Sequence, residues 1–203
     1  MSENNSDESE LKVILLGESG VGKTNIINRV IGEAFNSALK TTASATFSKV
    51  ILHLMNRDFE INLWDTIGQE RFRQLTQLFY NNSKIVIFVY DITNHKSFEE
   101  LKNYWVKDIE NKIGESVIKG VVANKIDLYL EEEVKEEEGE EFAKSIDAKF
   151  ISISAKTDHP DKFKKYITDL VEEFLLSGFN EGEGRITLSA KSHLKKQDKN
   201  CCK

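Results

Sequence analysis

Apolar residues along this chain fall alternately into short continuous runs and into helical stripes. The first run, Leu11–Leu16, is interrupted only by Lys12 and stops at Gly17, the pattern of a buried strand. Ile26, Ile27, Val30 and Ile31 recur at helical spacing and predict a helix over about Lys23–Ala34. Lys49–Leu54 and Glu60–Trp64 read as two strands joined by a polar turn at Asn56–Asp58, and Phe72–Tyr80 reads as a short helix. Ile85–Asp91 is an apolar run closed by an acid, too short for a helix and suited to a strand buried on both faces. Ser97, with Glu100 three residues on, fits a capping box ahead of Leu101, Trp105 and Ile109. Val117–Ala123 is a further strand, followed by an acidic helix near Val134–Ser145 and a last strand at Phe150–Ser154. Pro160 suits the first turn of a final helix carrying Phe163, Ile167, Leu170, Val171 and Phe174, which ends near Ser177–Gly178. This alternation predicts an α/β fold: a mostly parallel six-stranded sheet with helices on both faces and one antiparallel edge strand from Lys49–Trp64. Ligands on such sheets bind beyond the carboxyl ends of the strands, so chemistry is expected just after each strand.

Composition narrows the class. The chain has 203 residues, 39% hydrophobic and 31% charged, with 12 Phe and one Pro, the profile of a packed domain rather than a disordered one. The expected division is a flexible acidic segment over 1–10, one domain over 11–178 and a flexible tail over 179–203. A net charge of −6 excludes an overall basic footprint for nucleic acid. The longest apolar stretch, Ile85–Tyr90, is far shorter than the ~20 residues of a spanning helix. The opening MSENNSDESE is unlike a secretory or mitochondrial signal, so an intracellular protein is expected. His53, His95, His159 and His193 show no metal-ligand spacing. Cys201 and Cys202, adjacent and almost terminal, cannot staple a core.

The motifs fall where the sheet predicts. GESGVGKT, Gly17 to Thr24, lies between the first strand and the first helix. Glycines there let Ser19, Gly20, Val21 and Gly22 turn main-chain N–H groups onto phosphate oxygens. Lys23 supplies charge to the β- and γ-phosphates, and the Thr24 hydroxyl is a candidate Mg²⁺ ligand. A serine-hydrolase elbow is excluded, because Val21 stands where its second glycine belongs. The base is chosen by Asn124-Lys125-Ile126-Asp127: a carboxylate at Asp127 can accept from guanine N1 and N2, a donor pair adenine lacks. Ser154-Ala155-Lys156 closes the last strand beside it. Asp65-Thr66-Ile67-Gly68, weak alone, gains meaning after a strand: Asp65 as a Mg²⁺ ligand through water, the Gly68 N–H as a γ-phosphate sensor, and Gln69 as the residue orienting attacking water.

With these motifs in order, the chain resembles the Ras superfamily of small GTPases and most closely its Rab branch. The resemblance covers about Leu11 to Ser177 and rests on GESGVGKT, WDTIGQERF, the YDIT run at Tyr90–Thr93, NKID and SAK. It implies a P-loop NTPase G domain that binds GTP or GDP with Mg²⁺ and hydrolyses GTP slowly, with Lys23 and Gln69 as catalytic residues. It places Phe35, twelve residues after Lys23, over the guanine, and Thr42, nineteen after, on Mg²⁺ and the γ-phosphate, in preference to Thr41. Phe47, Trp64 and Phe79 match the aromatic trio that Rab effectors read, with ordinary strand and helix core as the alternative for them. The expected partners are an exchange factor, a GTPase-activating protein, a GDP-dissociation inhibitor, an escort protein and unidentified effectors in vesicle trafficking. Cys201-Cys202 resembles the Rab double-cysteine ending and implies geranylgeranyl anchoring to the cytoplasmic face of intracellular membranes, with a cytosolic pool. Around it, Arg185–Lys203 carries six Lys or Arg against one acid, a local +5 that leaves −11 on the rest and suits an anionic membrane.

Three departures fall in or beside the switches. Ile67 replaces the family's usual alanine and either crowds the phosphate and metal, slowing hydrolysis or hindering exchange-factor access, or points away. Ala43 and Ser44 follow Thr42 where the family has isoleucine and glycine, and Asn81-Asn82 stands where Rabs have arginine-glycine. The rival readings are a GTP-binding scaffold that barely hydrolyses because of Ile67, and an adenine-nucleotide P-loop enzyme. Eight glutamates within Glu131–Glu141 read as a solvated helix face, with a basic docking partner as the alternative.

Overall fold

A computed structural model describes residues 11–39, 42, 44–68, 73–114 and 117–180, with side chains to 177. Among these residues six strands form one sheet in the order β2-β3-β1-β4-β5-β6. The strands are β1 (Leu11–Leu16), β2 (Thr46–Leu54), β3 (Arg57–Asp65), β4 (Ser83–Asp91), β5 (Ile118–Asn124) and β6 (Ala148–Ile153). Every pairing is parallel except β2 with β3, which runs antiparallel from Thr46↔Asp65 to Leu54↔Arg57. The expected architecture is therefore present, with β2 as the antiparallel edge.

The helices are α1 (Lys23–Val30), α2 (Arg73–Gln77), α3 (His95–Glu100), α4 (Val106–Lys112), α5 (Glu136–Ser145) and α6 (Pro160–Asn180). A π-helical turn, Leu101–Trp105, joins α3 to α4, and a 3₁₀ turn, Ile126–Glu131, follows β5. No helix of the described residues is long and apolar enough to cross a membrane.

Side-chain alternation on the central strands divides the core in two. Val13, Leu15, Ile85, Ile87 and Val89 face α1 and α6. Ile14, Leu16, Val86, Phe88 and Tyr90 face Phe98, Leu101, Trp105 and Ile109 on the opposite side. That explains why β1 and β4 read as continuous apolar runs rather than alternating ones.

The differences from the sequence expectation have local causes. Helix α1 ends at Val30, short of Ala34, because Gly32 takes φ +92° and Glu33 N–H turns back to the Asn28 carbonyl at 2.8 Å. The β2–β3 turn sits on Met55 and Asn56, both at positive φ, and Asp58 already belongs to β3, its carboxylate 2.9 Å from His53 Nδ1. The α3 cap is Asn94, whose Oδ1 accepts from Ser97 N–H at 3.2 Å, so Ser97 lies inside the helix rather than capping it. The single helical stripe predicted through Leu101, Trp105 and Ile109 contains the π-turn, which apolar spacing alone does not distinguish from an α-turn. The glutamates of α5 are mostly solvent-facing, with Glu136, Glu137 and Glu138 in the first turn, where the helix dipole favours them.

Candidate functional site

The carboxyl ends of β1, β3, β4, β5 and β6 converge on one edge of the sheet, and the motifs leave from there. A cavity of about 630 Å³ opens at this edge. Ser19, Gly20, Gly22, Lys23, Thr24, Phe35, Thr42 and Gly68 line it together with Asn124, Lys125, Asp127, Ala155 and Lys156, so residues predicted for one site from five separate segments do meet.

At one end the loop after β1 wraps around Lys23. Gly20 and Gly22 adopt φ +82° and +102°, conformations a side chain resists, and a Cβ on Gly22 would lie 2.3 Å from Asn124 Nδ2. Lys23 is 5% exposed, and its ammonium donates to the carbonyls of Gly17 (2.7 Å) and Glu18 (2.9 Å). Burial pulls Lys23 down to about 8, against the opposing attraction of Asp65 and Glu18. Gly68 packs so closely that a Cβ there would be 2.6 Å from the Lys23 ammonium. Val21 and Asp65 do not line the cavity. Val21 is buried, with its carbonyl accepting from Asn124 Nδ2 at 2.7 Å.

Three oxygens gather next to Lys23. Thr24 Oγ1 donates to Asp65 Oδ2 at 2.7 Å and lies 2.9 Å from Thr42 Oγ1, which reaches the same carboxylate oxygen at 3.3 Å. Thr42 is thus the threonine that joins this group; Thr41 lies outside the described residues. Asp65 is 4% exposed, and its Oδ1 is buried without a well-formed hydrogen bond. Burial raises its carboxyl above the ordinary range despite the Thr24 and Thr42 hydroxyls and the Lys23 charge. An all-oxygen donor set with one unsatisfied buried carboxylate oxygen suits a hard divalent cation such as Mg²⁺.

The far end is fully knitted. Asn124 Oδ1 accepts from Ala155 N–H at 3.1 Å while its Nδ2 holds Val21, tying β5, the last loop and the first loop together. Lys125, at φ +70°, pairs with Asp91 Oδ2 at 2.5 Å. Asp127 accepts from Ser154 Oγ at 2.6 Å and has Lys156 Nζ at 4.0 Å. Ser154 supports this carboxylate from behind rather than lining the cavity.

Ile67 is 4% exposed and does not line the cavity; Thr76 Oγ1 donates to its carbonyl at 3.0 Å. The side chain points away, the second of the two expectations for it. Phe47, Trp64 and Phe79 form a continuous ring stack, centroids 5.1 and 5.7 Å apart, with Phe47 48% exposed. Plain core fits Phe47 poorly. Gln69, Cys201 and Cys202 lie outside the described residues, as do Ala43 and the 179–203 tail beyond Asn180.

Two site residues escaped the sequence reading. Asp91, the second residue of the YDIT run, shows its role only through Lys125, thirty-four positions away. Thr66, whose Oγ1 donates to the Leu15 carbonyl at 2.6 Å, fastens the start of the loop after β3 to strand β1; the DxxG pattern leaves its residue unspecified.

The Ras family model matches residues 12–175. The chain is 40% identical over 147 residues to Ras-related protein Rab-8A of Gallus gallus, covering 72% of this chain and 70% of the relative. It is 40% identical over 157 residues to RabC of Dictyostelium discoideum, covering 75% and 79%, and 38% identical over 147 residues to Rab-8A of Bos taurus, covering 72% and 70%. Together with the sheet order and the convergence of its loops, these matches show that the chain belongs to the Ras family of small GTPases, as a Rab-type member.

Proposed function

We propose that this GTPase is a Mg²⁺-dependent, membrane-anchored switch whose phosphate end is held by Lys23, Thr24, Thr42, Asp65 and Gly68. The observation that carries the reading is the meeting of Thr24, Thr42 and the under-bonded Asp65 carboxylate beside the buried Lys23 ammonium. Ser19 to Gly22 would offer main-chain N–H groups to the α- and β-phosphates. Lys23 would bring its charge to the β- and γ-phosphates, and the Gly68 N–H would meet the third phosphate. Bound Mg²⁺ would supply positive charge against the β- and γ-phosphate oxygens through Thr24, Thr42 and water on Asp65. Asp127, fixed by Ser154, would accept from guanine N1 and N2, with Phe35 on the base and Asn124, Lys125, Ala155 and Lys156 completing its surroundings.

Gln69 would orient the attacking water. With no arginine among the described residues that line the cavity, intrinsic hydrolysis is expected to be slow and completed by an activating protein in trans. Loss of the γ-phosphate removes the contacts of Thr42 and Gly68 and releases both switches. The stack of Phe47, Trp64 and Phe79 is the surface on which effectors of vesicle traffic would read that state. The domain would span 11–178, with a 179–203 tail prenylated at Cys201 and Cys202, a point that membrane fractionation of the Cys201→Ser, Cys202→Ser variant tests. The burial of Ile67 away from the cavity favours hydrolysis over the scaffold reading.

The decisive experiment loads the protein with labelled GTP, competes it with GTP or ATP, and follows single-turnover cleavage with and without Mg²⁺. Displacement by GTP alone and Mg²⁺-dependent release of phosphate are expected. Displacement by ATP would refute the base assignment, and binding without any cleavage, even with activating proteins, would favour the scaffold.

A further inference from the structure

Outside the cavity lies a second charged cluster, built on Glu18, a phosphate-loop side chain the nucleotide reading leaves unused. Glu18 turns its carboxylate away from the cavity, and only 15% of the side chain is exposed. Its Oε1 accepts from the Arg73 guanidinium at 2.5 Å and from the indole N–H of the fully buried Trp105 at 3.0 Å. The same Arg73 nitrogen donates to Glu100 Oε2 at 2.7 Å, and the guanidinium lies over the Tyr104 ring, 4.2 Å from its centroid. Arg73 opens α2, Glu100 ends α3, and Tyr104 and Trp105 sit on the π-turn. One arginine thus joins the phosphate loop, the second switch at α2, and α3 with its π-turn. Charge-assisted bonds and a stacked guanidinium are the strongest polar contacts such a surface can make.

The main chain of Glu18 is also engaged. A Cβ on Gly68 would fall 2.5 Å from its carbonyl carbon and 2.6 Å from its oxygen. Gly68 and Arg73 therefore both meet a single residue: Gly68 against the Glu18 backbone and Arg73 on the Glu18 carboxylate. These two contacts limit where α2 and the Gly68 N–H can go relative to Lys23. Arg73 does not line the cavity and is committed to two carboxylates, so in this arrangement it is not an internal arginine finger.

We propose that Arg73 is a positioning residue for GTP hydrolysis, clasping the second switch to the phosphate loop through Glu18, with Glu100, Tyr104 and Trp105 as its seat. The proposal rests on the GTPase reading above, and its test separates the two. In the full-length protein, hydrolysis of preloaded GTP is followed in a single turnover for the parent, Arg73→Gln, Glu18→Gln and the double variant. Nucleotide dissociation and melting temperature are measured alongside. Arg73→Gln should slow cleavage by roughly tenfold while dissociation of GTP changes less than threefold, the split expected when geometry rather than binding is lost. Glu18→Gln removes the charged acceptor from the same clasp and should slow cleavage by a similar factor. The double variant should be no slower than Glu18→Gln alone, since both changes open one clasp. Arg73→Lys keeps the charge but loses the planar fork, and should recover only part of the rate, which keeps the test open where Arg73→Gln folds poorly.

A second readout needs no hydrolysis. Amide exchange at Leu78, Phe79 and Tyr80, which bond back to α2, should quicken about tenfold in Glu18→Gln, with the protein either GDP-bound or empty. A parent chain that cleaves no GTP would overturn the GTPase reading, while the exchange result would still judge the clasp. An unchanged cleavage rate in Arg73→Gln, double-variant losses equal to the product of the singles, or unchanged exchange in Glu18→Gln would each overturn the clasp.

Discussion

The two ends of the cavity are built on opposite terms. At the end proposed for guanine, Asn124, Lys125 and Asp127 each already have a protein partner: Asn124 with Val21 and Ala155, Lys125 with Asp91, Asp127 with Ser154. At the end proposed for the phosphates, Lys23 and Asp65 are deeply buried, both are shifted by burial toward their neutral forms, and one Asp65 oxygen is left under-bonded. One end is a finished mould, and the other is completed only by added charge. A mould suits recognition of an invariant base. A site that depends on added charge suits the part of the ligand that changes between triphosphate and diphosphate, because its stability rises and falls with what is bound.

Three measurements probe that contrast. Asp65→Asn should have opposite effects on the empty and the loaded protein. Removing a buried, under-bonded charge leaves the melting temperature of the nucleotide-free chain unchanged or higher, while Mg²⁺-dependent GTP affinity falls by about 100-fold. A marked loss of stability in the empty chain would contradict the picture of an unfinished phosphate end. Asn124→Ala attacks the seam between the ends. With the Val21 carbonyl and the Ala155 N–H both losing a buried partner, denaturant unfolding should register a loss of about 2 kcal/mol even without nucleotide. A loss seen only in the loaded protein would mean that the guanine end is not preassembled.

The smallest effect is a pH dependence. With Lys23 at about 8 in the empty chain and 10.5 ordinarily, the folded state holds fewer protons than the unfolded between those values, so the stability of the empty chain rises with pH across that window. Bound phosphates would keep Lys23 charged, so binding above pH 8 takes up a proton and affinity falls by about tenfold per pH unit. Calorimetry at pH 8.5 in buffers of different ionisation heat reads the uptake directly, and none would be seen if Lys23 were already charged.

Much of this was legible in the chain because the informative features are local. Strand runs, glycine-rich turns and the tetrapeptides after strands each need only a window of a few residues, and the topology follows from their alternation. Thr42, Asn124, Lys125, Asp127, Ala155 and Lys156 accordingly line one cavity, while Ser154 lies behind it. Cross-chain pairing was not legible. Nothing near Asp91 announces Lys125, and nothing near Glu18 announces Arg73, fifty-five positions on, or Trp105. Ile67 was ambiguous for a related reason: its direction depends on how Thr76 grips its carbonyl from α2. The π-turn stayed hidden because residues at i and i+4 satisfy either winding.

That turn has a consequence for how the molecule could change over generations. A π-turn contains one residue more than the α-turn it replaces, so a single deletion within Leu101–Trp105 would restore an uninterrupted α-helix. Everything on one side of the lesion would rotate by about 100° relative to the other. Glu100 and Trp105 would then no longer face the same neighbour, while the apolar contacts of α4 could re-form one position along. The grip on the second switch is thus separable from the body of the fold, open to gain or loss through one codon without rebuilding the sheet beneath it.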